Sequence, residues 1–190
     1  MPILGILASS VPAAAGDYES IATVTVGAGG VSSVSFTSIP QTYAHLQLRV
    51  IARTARASSL DNLITRFNGD TGNNYYSRRL EGDGSSAYSD GYGLGSQPTF
   101  MLVPTAANTA SVFGANVYDI LDYTSTNKNK VTRALRGLDL NGSGWMTLGS
   151  NLWIPTSLGS GNITSITLTS QNGANIVQYS HFALYGIKSA

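Results

Sequence analysis

Side chains able to carry reaction chemistry are few and scattered along this chain. Only His45 and His181 are available as bases near neutral pH, and each stands alone in a run that reads as a strand. A serine hydrolase needs a serine, a base and an orienting acid, and no G-x-S-x-G turn occurs. The absence of cysteine removes thiolate catalysis, disulfides and Cys-ligated zinc. Glycoside hydrolysis needs two carboxylates across a cleft. Asp70, Glu81, Asp83 and Asp90 form one group in sequence and Asp119, Asp122 and Asp139 another, but most of them sit beside Gly or Asn and read as turn formers.

One motif has a ligand-like spacing. Asp139, Asn141 and Ser143 place oxygen side chains at positions one, three and five of a loop, with Gly144 at six, which is how a calcium loop opens. Position twelve is Ser150 in place of a bidentate Glu, so the segment reads as a strand-connecting turn and only a weak metal candidate. The run Gly91-Tyr92-Gly93-Leu94-Gly95 lacks the Lys-Ser/Thr of a phosphate cradle. These residues predict no enzyme and no cofactor.

The elements that would position such residues are strands. In 190 residues only 11% are charged, less than half the usual share of about 25%, while Ser, Thr, Asn and Gly abound. Net charge is +1 with no basic stripe, which argues against nucleic acid as a partner. In 21–26 Ala22, Val24 and Val26 alternate with Thr23 and Thr25; after Gly29-Gly30, Val34 and Phe36 alternate with Ser and Thr, so the two runs read as a β-hairpin. In 44–53 Leu46, Leu48, Val50 and Ala52 define one buried face. Further β-rich runs follow at 62–67, 74–80, 112–123, 131–138, 144–154, 163–170 and 181–188, with a short helix entertained at 105–112. The expected fold is an all-β antiparallel β-sandwich, jelly-roll-like, of about eight to ten strands.

Two segments stand apart. Residues 1–18 read as an arm carrying Ile3, Leu4, Ile6 and Leu7, too short and interrupted to span a bilayer and without the basic start of a signal peptide, ahead of a single domain at 19–190. Residues 81–99 are Gly, Ser, Tyr and Asp with almost no aliphatics and read as a long loop, in which Asp83, Tyr88, Asp90 and Tyr92 are candidate ligand contacts.

The segments MPILGILASS, YESIATVTVGAGG, FTSIPQTYAHLQLRVIART, RFNGDTGNNY, GDGSS, DILDYTSTNKNK and HFALYGIK together resemble a group of tailed-bacteriophage virion proteins. That resemblance implies a small sandwich on the virion, a capsid decoration or cement protein or a tail-associated one, and carries no catalytic residues. It implies as partners the major capsid protein or other virion proteins and further copies of the chain, with a trimer favoured by analogy. A tail location would instead make host glycan the ligand of the 81–99 segment. Assembly would take place in the bacterial cytoplasm, with the arm as the anchoring contact.

Overall fold

The computed structural model describes residues 17–96, 101–155 and 161–188. The arm residues Ile3, Leu4, Ile6 and Leu7 lie outside them. Twelve strands form among the described residues: β1 (Tyr18–Thr25), β2 (Ser33–Phe36), β3 (His45–Ala52), β4 (Leu60–Phe67), β5 (Tyr75–Gly82), β6 (Ala87–Gly95), β7 (Met101–Pro104), β8 (Gly114–Ile120), β9 (Lys130–Asp139), β10 (Gly144–Trp153), β11 (Ile166–Ser170) and β12 (His181–Ile187). They make a β-sandwich of an eight-stranded sheet, ordered β1-β12-β3-β8-β9-β10-β5-β6, and a four-stranded sheet, ordered β2-β11-β4-β7. Every pair of neighbouring strands in the two sheets is antiparallel.

The core lies where the two sheets overlap. Leu46, Leu48, Val50 and Ala52 of β3 point inward as their period-two spacing requires, joined by Phe182 and Leu184 of β12 and Tyr118 and Ile120 of β8. From the small sheet come Val34, Phe36, Leu63, Phe67, Ile166 and Leu168. Phe67, Tyr75 and Trp153 close one end, with ring centroids 5.5–6.4 Å apart. The Trp153 indole N–H donates to Asp70 at 2.7 Å.

The chain crosses repeatedly between sheets. Strands β1, β3, β8 and β12 belong to the large sheet and β2, β4, β7 and β11 to the small one, in the orders β1-β12-β3-β8 and β2-β11-β4-β7. The remaining four strands are two hairpins, β5–β6 and β9–β10, which extend the large sheet beyond β8.

Three local expectations change. The runs at 21–26 and 32–37 are not a hairpin: β1 pairs with β12 and β2 with β11. Their glycine link is held against Ile176, which exchanges 3.0 and 2.8 Å backbone hydrogen bonds with Val31. A Cβ on Gly30, at φ +70°, would lie 2.6 Å from the Ile176 carbonyl oxygen, so this crossing requires glycine. Residues 105–112 form turns in place of a helix. Asn108 Oδ1 accepts from the Thr105 N–H at 2.7 Å, and the Arg53 guanidinium draws on the carbonyls of Asn108, Thr109 and Val112 at 2.6–3.1 Å. Finally, the 81–99 segment is no loop over its described part. Its residues complete β5, turn at 83–86 and return as the edge strand β6.

Candidate functional site

Over part of their length the two inserted hairpins reverse the usual polarity of a sandwich, although Tyr75, Ala134, Leu138 and Trp153 still point inward. On β9 the buried positions include Lys130, Thr132 and Arg136, whereas Val131 and Leu135 are exposed. On β10 Thr147 and Asn151 are buried and Met146 and Leu148 exposed; on β5 Ser77 and Glu81 are buried and Leu80 exposed. Strand register turns this into a surface. Val117 faces Leu135, Leu135 faces Leu148 and Leu148 faces Leu80, giving an unbroken apolar row across β8, β9, β10 and β5. The flanking row runs Ile51, Ala115, Gly137, Met146, Gly82 and Ala87, two large side chains among small ones. On the other flank lie Gln47, Asp119, Arg133, Ser150, Arg78 and Gly91.

That polar flank satisfies itself. Asp119 accepts from Gln47 at 2.8 Å and from Arg133 at 2.8 Å; Arg49 donates to Gln47 at 2.8 Å and lies 4.8 Å from the Tyr185 ring centroid. Arg78 lies over Gly91, where a Cβ would fall 2.3 Å from its Cδ, and donates to the Ser77 and Tyr92 carbonyls at 2.9 Å. Beside the apolar row a shallow hollow of about 820 Å³ is lined by Leu80, Ser89, Leu121, Val131, Leu148 and Ser150, with Arg78 and Arg133 at its side. A second hollow of about 740 Å³ continues it over Leu135 and Met146.

On the inner face the hairpins carry a polar ladder. One cross-strand row reads Asn116, Arg136, Thr147, Glu81 and Tyr88. Glu81 accepts from Arg136 at 2.7 Å, Arg79 at 2.9 Å, Thr147 at 3.0 Å and the Tyr88 hydroxyl. Arg79 also grips Asp90 through two hydrogen bonds of 2.7 and 2.8 Å, which hold that carboxyl below its ordinary pKa. Of the sequence-derived contact residues, Tyr88 and Asp90 therefore brace the hairpin. Asp83 accepts three hydrogen bonds from Ser85 and Ser86 in the turn, and Tyr92 is 55% exposed. Glu81 and Arg136 as a pair were not legible in the sequence. The sequence shows only that Lys130, Thr132 and Arg136 share one face of a strand whose other face holds Val131 and Leu135, and not which of the two faces is buried.

Burial pushes the Tyr118 phenol up to about 12, and burial together with the Glu81 carboxylate pushes Tyr88 up to about 12. Phenols of the unfolded chain ionise near 10, so above that pH the unfolded state holds fewer protons than the fold. The stability tied to these groups is complete below about pH 10 and lost as pH rises through 12. Tyrosinate absorbance in an alkaline titration is expected to show a late step that coincides with loss of near-ultraviolet circular dichroism. All ten tyrosines ionising near 10 with the fold intact would contradict this.

The other candidates are dispersed. His45 Nδ1 accepts from the Asp122 N–H at 2.9 Å, and His181 Nδ1 contacts Thr25 Oγ1 at 3.0 Å. They occupy opposite ends of the β3–β12 pair. Asp139, Asn141 and Ser143 form the β9–β10 turn: Asp139 Oδ1 accepts from the Asn141 N–H at 2.8 Å, and the Leu140 N–H reaches the Ser143 carbonyl at 2.7 Å. Asn141 takes φ 63°, as the turn chemistry of Asn-Gly predicts. Among the described residues no three His, Asp or Glu side chains converge as a metal site. No protein-family model, no curated protein and no solved structure matches the chain.

Proposed function

We propose that this chain is a non-enzymatic structural protein of a tailed-phage virion, most consistent with a capsid decoration protein whose arm and sheet edges contact the capsid. The observation that carries an assembly role is the exposed apolar row Val117–Leu135–Leu148–Leu80, beside which the same strands bury the polar row Asn116, Arg136, Thr147 and Glu81. A free surface has no use for that arrangement, whereas an interface does. The virion assignment itself rests on the sequence resemblance. It draws support from the strand orders β1-β12-β3-β8 and β2-β11-β4-β7, which read as a jelly-roll wrapping with two hairpins added, an architecture used among others by viral capsid domains.

The alternative, a tail module gripping host glycan through Asp83, Tyr88, Asp90 and Tyr92, gains little from side chains that are mostly engaged within the hairpin. Quantitative mass spectrometry of purified particles of the encoding phage tests the proposal. Copies in the hundreds are expected, and deletion of residues 2–16 is expected to abolish incorporation. Absence from particles overturns the virion role, and a handful of copies per particle moves it to the tail.

A further inference from the structure

We infer that the outer face of the inserted hairpins is covered by a second copy of this chain, in a two-fold, face-to-face pairing of the large sheets. The inference builds on reading this face as an assembly surface; it is independent of the virion assignment.

Area comes first. Ile51, Leu80, Val117, Leu135, Met146 and Leu148 lie on this face, with Leu121 and Val131 beside them, at exposures of 37–68%. Together they present on the order of 700 Å² of apolar surface, above the roughly 300–600 Å² of the largest patch on a typical monomer and near the roughly 800 Å² per partner of a standard interface. A surface of that size and composition matches the more apolar interfaces of homodimers.

Charge then constrains the pairing. Asp119, Arg133, Arg49 and Arg78 border the apolar row, and each is already engaged within its own chain. The border is net positive, with three arginines to one aspartate, so two copies pair most readily where these groups meet small residues. A two-fold pairing along the row lays Asp119, Arg133 and Arg78 over Ala115, Gly137 and Gly82 of the other copy.

Shape is self-complementary in the same sense. A two-fold axis laid along the Val117–Leu135–Leu148–Leu80 row sets that row against its own copy. It also inverts the flanks, so that Met146, 68% exposed on one side of the row, falls over the hollow at Ser150 on the other side. The contact occurs twice, as an isologous interface requires. Aligned sheets pack about 10 Å apart in this manner.

Sedimentation velocity on the full chain tests the pairing. A species of twice the 19.9 kDa chain mass is expected at concentrations up to about 0.2 mM. Leu135→Lys with Leu148→Lys places like charges against their own copies and is expected to weaken association at least 100-fold. Both side chains point to solvent in the single chain, so circular dichroism should be unchanged, while the thermal midpoint should lose its dependence on protein concentration. Met146→Asp alone and Ser150→Lys alone are each expected to weaken pairing, and the two together to restore it, because each aspartate then meets a lysine of the other copy. A monomeric wild type overturns the inference, as does an oligomer of any order that survives the Leu135/Leu148 change. A wild-type monomer that pairs only after deletion of residues 2–16 would overturn it in favour of the arm as occupant. Loss of pairing leaves the particle experiment unaffected, so the two proposals fail separately.

Discussion

Glu81→Ala is expected to lower the unfolding free energy by about 3–5 kcal/mol, the cost of removing one partner from a buried ion pair. The Glu81 side chain is 2% exposed and that of Arg136 is 3%. Four donors from three other strands and its own converge on this one carboxylate: Arg136 of β9, Thr147 of β10, Tyr88 of β6 and Arg79 of β5. Burial pulls the Arg136 guanidinium down to about 10, with Glu81 opposing the shift, which leaves it charged at neutral pH. Truncating Glu81 strands that charge in a site built around a carboxylate. Urea unfolding at neutral pH measures the loss. Glu81→Leu combined with Arg136→Met is expected to recover most of it, because an apolar pair needs no desolvation of charge. A single Glu81→Ala loss below about 1 kcal/mol would show that the ladder does not hold the hairpins together.

Asp61→Ala is the second large effect, expected at about 3–4 kcal/mol from the donors it leaves unsatisfied. Asp61 is 1% exposed on β4 and has no ion pair among the described residues. Its charge is held by hydrogen bonds alone: Thr54 at 2.9 Å, Ser170 at 2.7 Å, the Asn172 amide at 2.8 Å and the Asn62 N–H at 2.9 Å. These partners come from the end of the small sheet and from the loops after β3 and β11, so one side chain fastens three connections. Asp61→Asn keeps an acceptor and is expected to lose roughly half as much, since the Thr54 and Ser170 hydroxyls can turn to accept from its amide. Equal losses for the two variants would place the stabilisation in the negative charge itself.

Both positions hold a carboxylate where an apolar residue would suit a sandwich core, and each serves a different part of the fold. Asp61 ties the loops at the overlap of the two sheets. Glu81 ties together β5, β6, β9 and β10, whose inner faces also contribute Tyr75, Ala134 and Trp153 to the core. Around Glu81 the hairpins are braced by polar contacts inside, while Leu80, Leu135, Met146 and Leu148 face out. This inversion is the structural basis of the proposed assembly surface.

Much of the strand content was legible because period-two alternation is a local property. Leu46, Leu48, Val50 and Ala52 announce the buried face of β3, and Asn68-Gly69 announces the turn after β4, where Asn68 takes φ 52° and Gly69 φ 70°. Strand β6 was hidden because Gly and Asp, which recur through it, are poor strand formers. It exists because its backbone pairs with β5 and Arg79 and Glu81 secure Asp90 and Tyr88. The four-residue strand β7 was hidden because all four of its residues are buried and show no alternation, unlike the equally short β2.

What the amino-acid sequence determined by itself was an all-β chain with two unlike faces on most strands. It could not say which face of β5, β9 and β10 turns inward, since Leu135 and Arg136 are equally good local evidence for opposite orientations. Pairing decided that. Register sets Arg136 opposite Thr147 and Thr147 opposite Glu81, and the same register necessarily aligns Leu135, Leu148 and Leu80 on the other side. An exposed apolar surface built from residues as far apart in sequence as Leu80 and Leu148 is a property of that alignment and of no single segment.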